Sequence, residues 1–147
     1  MIAFLRPDVW DFPLFLHVLG ATVLFGGVAT LVLLSFTAQR ITGDGGAFAR
    51  RLAFTTLLTV VLPSYIVMRA GAQWIYSKED FHPAFPTWVA IGVGVGDGGI
   101  VVLLVLAVLG WLALRRPRVG AWFAGLSVVY LVALAVAWWA MSAKPGA

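Results

Sequence analysis

The chain has 147 residues, 62% of them hydrophobic and only 11% charged, with a formal net charge of +4. Soluble domains carry about 25% charged residues, so ten basic and six acidic side chains cannot clothe a water-soluble fold of this size. A soluble enzyme, a disordered tail and a nucleic-acid binder are excluded, and the pI of about 10.1 marks a membrane face instead of a nucleic-acid partner.

With the charges as punctuation, four apolar runs appear, at residues 12–39, 52–68, 88–114 and 119–143. A helix needs about 20 residues at 1.5 Å each to cross about 30 Å of hydrocarbon. Three runs exceed that length, and the second reaches it by continuing past Arg69 toward Trp74. None alternates with the strict period of a barrel strand. The expected fold is all-α: a four-transmembrane-helix bundle forming one domain over 1–147. Its helices are expected at about 12–38, 52–74, 88–114 and 119–142, with the lipid bilayer as the surrounding partner.

The loops add detail. Arg6 stands against Asp8 and Asp11, and the first run is about twice the length of a signal-peptide core, so the N-terminal segment is expected to remain in the mature protein. Gly43, Gly45 and Gly46 suggest a flexible first loop, and Pro63 suggests a kink in the second helix. The loop from about 75 to 87, with Pro83 and Pro86, is expected to fold partly over the bundle. The first loop carries Arg40, Arg50 and Arg51, and the third carries Arg115, Arg116 and Arg118. Arg6, Arg69, Lys78 and Lys144 lie toward the other side, offset by Asp8, Asp11, Glu79 and Asp80. The positive-inside rule then places both termini outside. The seven tryptophans fall near the span ends, as interfacial anchors do.

Polar residues within the spans concentrate in the outer half. His17 counts to about 6 Å below the outer surface, Arg69 to about the same depth, and Asp97 to about 15 Å. Tyr130, Ser64, Tyr65 and Thr22 count to the middle layer, while the inner half looks nearly featureless. A site is therefore expected to open outward. Asp97 at mid-bilayer costs about 2.5–3.5 kcal/mol even on the lenient insertion scale. It is expected to face the bundle interior or water, paired with Tyr130 as a neutral donor or with Arg69 through water. It serves either as a proton or ion relay or as a clamp that fixes helix register. Of Gly92, Gly94, Gly96, Gly98 and Gly99, the first four form two small-xxx-small pairs, Gly92 with Gly96 and Gly94 with Gly98, which let another helix approach closely. The Gly92–Gly99 face thus also suits a second copy of the chain or a larger membrane complex.

A stripe of His17, Gly20, Ala21, Leu24 and Gly27 turns His17 toward the bundle. With His82, Met68 and Met141, it offers imidazole and thioether ligands suited to copper, and two imidazoles are suited to haem. Cysteine is absent, so there is no thiolate site, and no Ser–His–acid or paired-carboxylate arrangement supports hydrolysis.

The run His17 to Gly27, with Gly20, Gly26 and Gly27, resembles the first helix of small bacterial membrane proteins related to the copper resistance protein D group. The end of the chain, Trp138, Trp139, Met141, Lys144, Pro145 and Gly146, is similar to the C-terminal signature of a four-helix branch of that group. The resemblance implies a bacterial inner-membrane bundle concerned with copper or haem, with His17 as the residue carried over. The alternatives that remain are a small permease or proton relay using Asp97, and a non-catalytic accessory subunit of a membrane complex. The topology is testable in this cysteine-free chain. A cysteine at Ser77 should react with an impermeant thiol reagent from outside intact cells, and one at Gly45 only after lysis; the reverse pattern inverts the assignment.

Overall fold

The computed structural model describes residues 11–77 and 86–144. Within them the chain forms α1 (Asp11–Arg40), α2 (Gly43–Thr56), α3 (Leu62–Tyr76), α4 (Thr87–Arg115) and α5 (Gly120–Ala143), and these described residues contain no strand. A π-helical segment, Leu57–Val61, joins α2 to α3 without a break, so the two form one span of 34 residues, Gly43–Tyr76. The other spans run Asp11–Arg40, Thr87–Arg115 and, with the 3₁₀ turn Pro117–Val119 included, Pro117–Ala143, the shortest at 27 residues. Even that one is about 40 Å long, enough to cross a bilayer. The chain is an all-α, multi-pass membrane protein, as its hydropathy predicts.

Helix α1 is the hub. It packs on α2, on α3 and on α5, while α4 packs on α5 and on α2. The core joins Leu24, Val28 and Leu31 of α1 to Leu57, Val61 and Tyr65 of the second span, Leu103 and Leu106 of α4, and Phe123 and Tyr130 of α5. The outer surface is just as apolar: Leu33, Ile66, Val101, Trp122 and Val129 are all exposed. A helix apolar all round belongs in lipid.

One expectation about the second span needs correction. The span begins at Gly43, not near residue 52, so the glycines taken for a flexible loop open a helix. Gly43 takes φ 68°, and this left-handed residue lets the chain reverse within Ile41 and Thr42. Gly46 then lies directly against the Ile41 carbonyl, where a side chain has no room. The effect of Pro63, which has no N–H to give to Thr59, appears in the turn just before it. There the backbone widens, and the Leu62 N–H reaches back to the Leu57 carbonyl. Such π segments insert an extra residue into a helix and change the face it presents. Helix α1 packs along the whole span, on α2, on the π segment and on α3, whereas α4 packs, within this span, on α2 alone.

The tightest approach in the bundle joins α1 and α3. A Cβ on Gly20 would overlap the backbone of Met68, and one on Gly71 would stand 2.6 Å from His17 N and 2.7 Å from Pro13 O. Small residues at a membrane helix interface allow such contact. Gly71→Ala should therefore force the helices apart and lose about 1–3 kcal/mol. Gly94, whose Cβ would meet nothing within 4 Å, should tolerate alanine or gain up to about 1 kcal/mol from helix propensity. Thermal unfolding in detergent checks the contrast: Tm should fall for Gly71→Ala and hold or rise for Gly94→Ala.

Candidate functional site

The backbones of α3 and α4 hardly approach one another. Two side-chain bridges span the gap between them. The Arg69 guanidinium pairs directly with the Asp97 carboxylate, through Nη2 and Oδ1. One turn away on α3, the Tyr65 hydroxyl donates to the Gly96 carbonyl at 2.7 Å.

The glycines of α4 make room for these groups. A Cβ at Gly96 would lie 3.6 Å from Arg69 Nη1 and 3.7 Å from its Cδ, so the arginine lies across bare backbone. A Cβ at Gly99 would meet the Tyr130 hydroxyl at 2.8 Å and Tyr65 Cε2 at 3.0 Å. At Gly92 it would overlap the Met141 methyl group. The expectation that Gly92, Gly96 and Gly99 admit a neighbouring helix backbone is corrected here, since they cradle side chains. Gly94 and Gly98 face open space on the outer flank.

Asp97 shares that flank. Its side chain is 57% exposed and that of Arg69 is 28% exposed. The expectation that Asp97 faces the bundle interior is therefore overturned. Gly96, Gly99, Leu103 and Leu106 supply the buried face of α4, and Asp97 is rotated about 100° from Gly96. The ion pair is also direct, with no need of a bridging water. Helix α3 runs to Tyr76, which sets Arg69 about 10 Å below the helix end, against about 15 Å for Asp97 below Thr87. The remaining difference is within reach of an extended arginine.

Tyr130 does not meet Asp97. It is 2% exposed, and its hydroxyl, set against Gly99, has no hydrogen-bond partner among the described residues.

The expected metal ligands are divided between two helix pairs. His17 Nδ1 lies 3.1 Å from the Met68 carbonyl on the α1–α3 side. A carbonyl only accepts, so Nδ1 carries the proton and Nε2 is left for any other partner. Met141 packs on Gly92, on the α4–α5 side. His82 lies outside the described residues. Among the described residues no group of three or more His, Cys, Asp or Glu gathers as metal ligands would.

The arginine-rich end is not featureless, as the sequence suggests. A cavity of about 490 Å³ opens there, with Arg50 and Arg118 in its lining. Both residues are conspicuous in the sequence, but only as topology signals; nothing in their spacing shows that they share a cavity.

No family model, no curated protein and no solved structure matches the chain. The chemistry must be read from the groups themselves. A carboxylate and a guanidinium bridge α3 and α4, one phenol is bonded beside them, and a second phenol, unpartnered among the described residues, lies behind.

The two tyrosines should respond oppositely to loss of the hydroxyl. Tyr65→Phe breaks a satisfied bond and should lose about 0.5–1.5 kcal/mol. Tyr130→Phe removes a buried oxygen without a partner, so Tm should hold or rise, and the same change should restore part of the stability lost in Gly99→Ala.

Proposed function

We propose that this protein is a small membrane permease that passes protons through the Arg69–Asp97 pair. The observation that carries this reading is the ion pair itself, deep within two spans and set in the cleft where α3 and α4 are joined by side chains. Ionisable residues inside membrane helices are costly, and they recur on ion and proton pathways. Protonation of Asp97 removes the charge that Arg69 holds. The Tyr65–Gly96 bond then remains as the polar bridge described between α3 and α4, and the cleft is free to change width as the proton moves on.

The positive-inside rule supports an orientation with the arginine-rich loops in the cytoplasm and the ion pair in the outer half of the membrane. The resemblance of the first helix supports a bacterial inner membrane. The copper or haem reading has narrower support: His17 presents Nε2 with Nδ1 fixed by a carbonyl, an orientation shared by metal-bound histidines. Met68 contributes its backbone there, and Met141 belongs to another helix pair. The ion pair is therefore the better-founded site.

Purified protein in vesicles with an imposed pH gradient and an internal pH dye tests the proposal. Wild-type protein should dissipate the gradient at least tenfold faster than empty vesicles. Asp97→Asn should fall to within about twofold of the empty rate while its Tm stays near wild type. Equal rates for wild type and Asp97→Asn, or a wild-type rate no faster than empty vesicles, overturn the reading.

A further inference from the structure

The cavity at the arginine-rich end lies between the turn joining α1 to α2 and the Pro117–Val119 turn that leads into α5. It is far from the Arg69–Asp97 pair and independent of the function proposed there. Its deeper wall is apolar, with Ala53, Ala113 and Phe123 all buried. Arg50 and Arg118 reach it from separate parts of the chain, and Gln39 and Thr42 add neutral hydrogen-bonding groups. No Asp or Glu is in the lining; Asp44, in the first turn of α2, stands outside it. Among the described residues neither arginine has a carboxylate partner. The first residues of α2 and α5, Gly43 and Gly120, border the cavity together with the last turns of α1 and α4, so the helix dipoles offset one another and the field is that of the arginines.

We propose that this cavity binds a phosphate-bearing anion. Arg50 and Arg118 hold the phosphate oxygens, and the apolar wall receives an acyl chain where the anion is a phospholipid headgroup. Guanidinium forks match phosphate geometry, and basic pockets between membrane helices take anionic headgroups. The size favours the lipid as source. A volume of about 490 Å³ falls in the range of small-molecule sites and far exceeds a bare phosphate, and much of its wall offers phosphate no hydrogen bond.

The test is native mass spectrometry of delipidated, detergent-purified protein titrated separately with phosphatidylglycerol, phosphatidylcholine and inorganic phosphate. Phosphatidylglycerol should bind at least tenfold tighter than phosphatidylcholine. The double variant Arg50→Gln/Arg118→Gln should lose at least tenfold of that affinity. Arg51→Gln/Arg116→Gln removes the same charge from exposed positions outside the lining and should lose less than threefold. Inorganic phosphate binding as tightly as the lipid, and lost in the same cavity variant, supports the phosphate site with a soluble source. Equal binding of the two lipids, no binding of either phosphatidylglycerol or phosphate, or equal losses in the cavity and surface variants overturns it. Should the glutamine pair fail to fold, Arg50→Lys/Arg118→Lys keeps the charge without the fork and should still lose severalfold.

Discussion

Backbone contact between α1 and α3 at Gly20 and Gly71 fixes where the polar groups of that half of the bundle stand. With Gly20 against Met68 and Gly71 against His17, the rotation of α3 about its axis is set. Met68 faces α1, and its carbonyl meets the His17 ring. Arg69 is one residue farther on, so it is turned about 100° away from α1. That turn carries it toward α4 and Asp97. A larger residue at position 20 or 71 would push α3 outward and displace the arginine with it.

On the α4 side the polar contacts do not act through hydrophobic burial, because lipid is as apolar as the leucines it would replace. What joins α3 to α4 is a guanidinium laid over Gly96, its carboxylate partner, and a phenol bonded to the Gly96 carbonyl. An ion pair removed from water is weak evidence for stability, since desolvation offsets much of the attraction. The pair stands in two apolar helices with its carboxylate more than half exposed on the flank, so burial is not what holds it. Tyr130 carries a cost of a related kind. A hydroxyl that is buried without a partner costs about 1–3 kcal/mol, although phenylalanine would fill the same space.

The four spans were legible because length and hydropathy suffice to define them. The turn at Gly43 was not, because three glycines in four residues look like a loop until one of them is needed for a left-handed reversal. The Arg69–Asp97 pair was half legible. Its members stand out by charge, but counting depth from a span end at Trp74 instead of Tyr76 exaggerated their separation. Asp97 was assigned an inward face because a lone acid in lipid is costly; the direct arginine partner allows the outward one. The roles of Gly96 and Gly99 were hidden, because a glycine that admits a helix and one that admits a side chain give the same signal. The cavity between Arg50 and Arg118 depends on residues 68 positions apart, and no local pattern encodes it.

The loss of α4 as a partner along the second span distinguishes the two ends of the molecule. Helix α1 lies along the whole span, while α4 lies on α2 and not on α3, with the wide turn at Leu57–Val61 between the two halves. The π turn widens the helix at that point, and Pro63 beyond it lacks the N–H that would restore the regular ladder there. The bundle is therefore joined by backbone packing between α2 and α4 at the arginine-rich end, while at the other end α3 and α4 stand apart and only side chains bridge them. Charge can reside at that gap because no helix packing has to exclude it.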